Sequence, residues 1–206
     1  MSRPKLYKIL TPEGFSCHGG NAQWCLPHGK RPGKWMPKRE ACLCYRGYHA
    51  VRASSLLDWL SMDNAIVYLA EGRGLSENNG EKWCFEQMRL HGPVMLWTPR
   101  IARLFACDCA ERVLGIFERN HPEDMRPRQA IDVARRYANE EATGKELQAA
   151  WDAAWDAAWA AARAAARDAA GAAAGAAAWA DAWDAAWAAE RRWQTRRLMK
   201  YLSESV

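Results

Sequence analysis

Leu6, Tyr7, Ile9 and Leu10 make a short apolar run broken by Lys8, which predicts a strand over 6–10. Residues 11–40 show no apolar period and are dense in Gly, Pro, Lys and His, so turns and loops are expected there and no helix. Positions 42–51, rich in aromatic and small residues, predict a second strand, followed by Ser54 capping a short helix through Leu60. Further strands are expected at 66–71 and 82–90. Beyond Pro93 and Pro99 the period changes. Ile101, Leu104, Phe105, Val113, Leu114 and Phe117 recur at three- and four-residue steps and predict a helix over 100–119. A turn at 121–127 leads to a second helix over 128–141, and Gly144 divides it from helices at 145–169 and 172–202. The expected fold class is α+β: a small α+β domain over 1–96, then an all-α helical bundle over 97–206 that ends in a long Ala/Trp-rich antiparallel hairpin.

The hairpin follows from a repeat. Alanine fills 26 of the 42 positions from 149 to 190, and every fourth place from Trp151 holds something else: Trp155, Trp159, Arg163, Arg167, Gly171, Gly175, Trp179, Trp183 and Trp187. A helix advances about 100° per residue, so a four-residue step drifts by about 40° and cannot hold a narrow stripe. The pattern is also a palindrome about position 169. Folded there, Trp151 would face Trp187, Trp155 would face Trp183 and Trp159 would face Trp179, with Arg163 and Arg167 opposite glycines at the bend. In such a hairpin the indoles fill space between helices whose other side chains are methyl groups; the alternative is one unbroken helix, which would bring both Trp triplets to one broad side.

Composition adds limits. With 206 residues, half of them apolar and 26% charged, the chain has an ordinary globular make-up. Asp or Arg interrupts the alanine tract often enough to exclude a membrane span, and the start, MSRPKLYKIL, has no apolar run of the secretory kind. Seven cysteines, an odd number, argue against a disulfide framework and for a reducing cytoplasm. The net charge of +5 is uneven, with ten Lys/Arg against Glu13 and Glu40 in residues 1–52. No recognisable nucleic-acid motif accompanies this surplus, so no specific nucleic-acid partner is expected.

Few residues suggest bond-breaking chemistry. Cys17, His18, Cys25, His28, Cys42, Cys44 and His49 crowd one segment, yet their irregular spacing lacks paired zinc knuckles, and no metal site is assigned. No GxSxG elbow or phosphate-cradling glycine loop occurs, and Glu71, Glu77, Glu81 and Glu86 read as surface charge. No catalytic residue and no cofactor is therefore expected. The residues best suited to binding are Trp155, Trp159, Trp179 and Trp183 for stacking, with Arg163 and Arg167 for phosphate. Arg126 and Arg128, flanking Pro127 at a helix start, could grip a carboxylate or phosphate in fork geometry.

Two stretches carry a resemblance. FACDCAERVL at 105–114 and RPRQAI at 126–131 resemble the all-helical immunity proteins of polymorphic toxins, across residues 97–145. LYKILTPEGFSCHGG, RGYHAV and YLAEG, within 5–71, resemble an uncharacterised domain common in bacteriophage genomes, and the whole chain is similar to hypothetical phage proteins. The resemblance implies a phage-encoded protein in the host cytoplasm. The expected function is non-enzymatic counter-defence: sequestering a nucleotide-derived immune signal, of cyclic nucleotide or cyclic ADP-ribose type, without cleaving it. The alternative is an immunity protein that neutralises a toxin or host defence protein by direct binding. A homo-oligomer is expected in either case, because an alanine hairpin needs a second copy to cover its outer faces.

Overall fold

The structure, a computed structural model, describes residues 4–19, 22–61, 63–169 and 176–204, and of these the backbone alone at 75, 159–169, 176–184 and 202–204. It is α+β, with an antiparallel sheet region followed by helices. The chain divides into two compact units, Met1–Thr98 with Arg191–Val206, and Pro99–Glu190.

Four strands close the first unit into a barrel in the order β1-β2-β4-β3, every neighbour antiparallel: β1 (Leu6–Leu10), β2 (Tyr48–Val51), β3 (Ala65–Asn78) and β4 (Lys82–Trp97). The weakest join is between β1 and β2, which share one register pair, Tyr7 with Val51. Leu10, Leu56, Val67, Cys84, Met88, Leu90 and Met95 are fully buried at its heart. Both long strands outrun the sequence expectation. Pro93, expected to mark the exit, is absorbed within β4 instead: it sits opposite Tyr68, where the register shifts on both sides. A bulge at that point spares the ladder the N–H that proline lacks. Asn79 and Gly80 make the turn between β3 and β4, with Asn79 Oδ1 accepting from the N–H of Glu81 and Lys82.

The expected second strand begins later than position 42, because Cys44 (φ 71) and Gly47 (φ 89) turn the chain first. Residues 11–40 hold no helix among those described. This segment is nonetheless ordered by the barrel: the N–H groups of Gly33, Met36 and Arg39 donate to the carbonyls of Leu90, Met88 and Glu86 on β4. Its Trp24 and Met36 plug into the core cluster. The short helix after β2 is a 3-10 helix, Ala53–Trp59, entered from Arg52, so Ser54 lies inside it and is not its cap.

The second unit is helical. α1 (Pro99–Asn120) buries Ala102, Phe105, Cys107, Asp108 and Leu114, and α2 (Arg126–Ala138) carries Pro127 in its first turn. α3 (Gly144–Ala169) starts at a capping box: the Thr143 hydroxyl accepts from the Glu146 N–H at 3.2 Å while the Glu146 carboxylate accepts from the Thr143 N–H at 2.7 Å. α4 (Ala176–Glu204) is tied to α1 by Arg112 and Glu190 at 2.8 Å. Its last turns belong to the barrel unit, where Leu198 is fully buried and Arg191 pairs with Asp58 at 2.7 Å. Among the described residues no helix is long and apolar enough to cross a membrane.

Candidate functional site

The tryptophan tract is where the helical unit departs from an ordinary core. α3 turns Ala157 inward, leaving 1% of its surface exposed, while Trp151 and Trp155 stand outside at 57% and 53%. Being four residues apart they lie on one face, and the two indoles stack at 5.4 Å between centroids with planes 21° apart. Trp187 on α4 is 62% exposed. Trp151 and Trp187 were expected to meet as a closed layer across the hairpin, and both rings instead leave most of their surface open. Alanine, which allows close helix approach, takes the buried position, and the large rings go where there is room. Val113, Ile116 and Met125 add further exposed apolar surface to the same unit.

The other expected binding residues fall in two groups. Trp159, Arg163 and Arg167 lie on α3 and Trp179 and Trp183 on α4, but their side chains lie outside the described residues, as does the bend at 170–175. Arg126 and Arg128 are described, and both grip carboxylates of their own chain. Arg126 holds Asp124 at 2.6 Å, which keeps that carboxyl well below its usual range, at about 2. Arg128 makes the expected two-pronged fork, but with Glu118, at 2.7 and 2.8 Å. Arg135 completes the network by bridging Asp108 at 2.9 Å and Glu111, the acidic residues of the 105–114 motif.

The cysteine and histidine cluster separates in space. Among the described residues no three His, Cys, Asp or Glu side chains are placed to hold a metal ion. His18 Nε2 lies 2.6 Å from the Trp59 carbonyl, and His49 Nε2 accepts from the Cys44 N–H at 3.0 Å. Both histidines line a cavity in the barrel unit together with Lys8 and Lys82, residues that sequence reasoning did not single out. One signal for it lay in the sequence: Lys8 shares the inward parity of Leu6 and Leu10 on β1.

Charge also segregates by unit. Pro99–Glu190 carries eleven Lys/Arg against fifteen Asp/Glu, whereas the barrel unit carries eighteen against nine, the basic stretch 191–200 falling on its side. Residues 99–191 match the family described as Imm-5 like putative immunity protein. No curated protein and no solved structure matches the chain.

Proposed function

We propose that this protein acts without catalysis as an immunity protein, neutralising a toxin or defence effector by covering part of its surface. What supports this reading is a coincidence of bounds: the matched segment, 99–191, and the compact helical unit, Pro99–Glu190, are the same stretch of chain. The exposed indoles of Trp151, Trp155 and Trp187 supply the kind of rigid aromatic anchor that dominates protein interfaces. The acidic balance of the unit favours a partner with a basic surface. The narrower reading, capture of a nucleotide-derived signal by Trp159, Arg163 and Arg167, draws only on the four-residue spacing.

Co-production with a panel of polymorphic-toxin effector domains tests the proposal, read as growth of the producing cells and as a complex on size exclusion. Growth restored by one such toxin pairing is expected, and the double variant Trp151→Ala, Trp155→Ala should weaken that complex at least tenfold, in line with losses of about 2 kcal/mol at aromatic anchors. Failure to protect against any of them, with no complex formed, would overturn it.

A further inference from the structure

β1 and β2 meet at a single register pair, Tyr7 opposite Val51, and then part. The seam they leave open is one side of a cavity of about 690 Å³, a size in the range of small-ligand sites, which run from about 300 to 1,000 Å³. Its walls combine two features. Lys8, Lys82 and Arg39 bring positive charge, and the carboxylate on its wall, Glu40, is already paired with Arg46 at 3.4 Å. Among the described residues neither Lys8 nor Lys82 has a carboxylate partner, and Lys82 Nζ donates to the Cys44 Sγ at 3.1 Å. Trp24, Trp59 and Tyr48 bring ring surface, and each carries one of those cations: Lys8 lies 5.1 Å from the centre of Trp24, Lys82 5.1 Å from Trp59, and Arg39 5.7 Å from Tyr48.

We propose that this cavity binds a nucleoside phosphate, with phosphate held by Lys8 and Lys82 and the planar base stacked on the half-buried Trp59. A phosphate draws the Lys82 ammonium off Trp59 and leaves that ring face open to a base, so charge and stacking are satisfied together. Inorganic phosphate alone is far too small for the space. A ligand with base, sugar and phosphate matches both the volume and the chemistry of the wall. Burial and the neighbouring Lys82 hold the Lys8 ammonium down to about 8, which an anion arriving beside it would reverse. At the rim the 42–47 turn, with its left-handed Cys44, sets Tyr45 at 86% exposure. This site is independent of the immunity reading, which rests on the other unit.

Titration calorimetry on the full chain, with the four ribonucleoside monophosphates, ADP-ribose, the free nucleosides, inorganic phosphate and a single-stranded 12-mer, tests the proposal. Expected is one-to-one binding of at least one nucleotide, weakened about tenfold by Lys82→Gln and by Trp59→Leu. Lys8→Met should abolish binding yet leave the melting temperature equal or higher, since it removes a charge from an apolar setting, and so separates lost binding from lost folding. Toxin neutralisation should be unaffected by Lys82→Gln. The proposal is overturned if no nucleotide binds at millimolar concentration, if binding survives both lysine substitutions, if phosphate binds as tightly as the nucleotides, or if the 12-mer outcompetes them all.

Discussion

Asp108 is buried on α1 with 6% of its surface exposed, and Arg135 reaches it from α2 while also serving Glu111 at the surface. The two ends of this pair are unequal. Removing Asp108 leaves Arg135 half in water with Glu111; removing Arg135 strips its guanidinium from a buried carboxylate. Arg135→Met should therefore cost roughly 3 kcal/mol in urea unfolding, and Asp108→Asn clearly less. A second residue, His49, sets a pH dependence. Burial first, then the charges of Lys82 and Lys8, push its imidazole down to about 4, and the Cys44 N–H donates to its neutral Nε2. The unfolded chain binds a proton near 6.5 that the folded chain refuses, so stability should fall as pH drops from 6.5 to 4. His49→Gln should flatten the melting temperature over that interval; an unchanged slope would refute the assignment. Neither residue could be valued from sequence. The 105–114 motif was visible as a pattern, but that its aspartate is buried and shared between two helices depends on which face α1 turns inward.

At the scale of elements, the helices were legible and the strands only half so. Apolar recurrence along α1 and the Thr143–Glu146 box at the start of α3 are local signals, and the observed starts, Pro99 and Gly144, lie one residue from those expected. Thr143→Ala should cost about 1 kcal/mol, read as a lowered melting temperature, because the α3 start loses its hydroxyl acceptor. The long hairpin of β3 and β4 was expected to be shorter, 66–71 and 82–90, with Pro93 marking the exit, yet the strands run on through Gly72, Gly74, Gly92 and Pro93. Their pairing partners and bulges, which make them tolerable, are non-local. The Asn79-Gly80 pair was the available hairpin signal. A tighter constraint sits before β2. Gly47 has φ 89, and a Cβ there would lie 2.7 Å from Cys84 Sγ and 2.9 Å from the Phe85 carbonyl. Gly47→Ala should destabilise the chain by roughly 1–3 kcal/mol, and it should distort the 42–47 turn that walls the barrel cavity.

The whole molecule divides its charge more sharply than a count by halves suggests, because residues after 190 return to the barrel unit and carry five bases against Glu204. The chain order hides this. By unit, an acidic helical body bears the exposed indoles and a basic barrel bears the cavity lysines, so the two proposed partners are opposite in charge. That has a kinetic consequence for the immunity reading. Charge complementarity chiefly raises the association rate, whereas buried aromatic anchors chiefly slow dissociation. Association with a basic toxin should slow roughly tenfold between about 20 and 150 mM salt, as surface charges are screened. Asp152→Asn with Asp156→Asn, both exposed beside the stacked pair, should lower the association rate and leave dissociation nearly unchanged. Trp155→Ala should do the reverse. Stopped-flow mixing of the two proteins reads both rates, and a Trp155→Ala variant that changed only association would show that the indoles lie outside the interface.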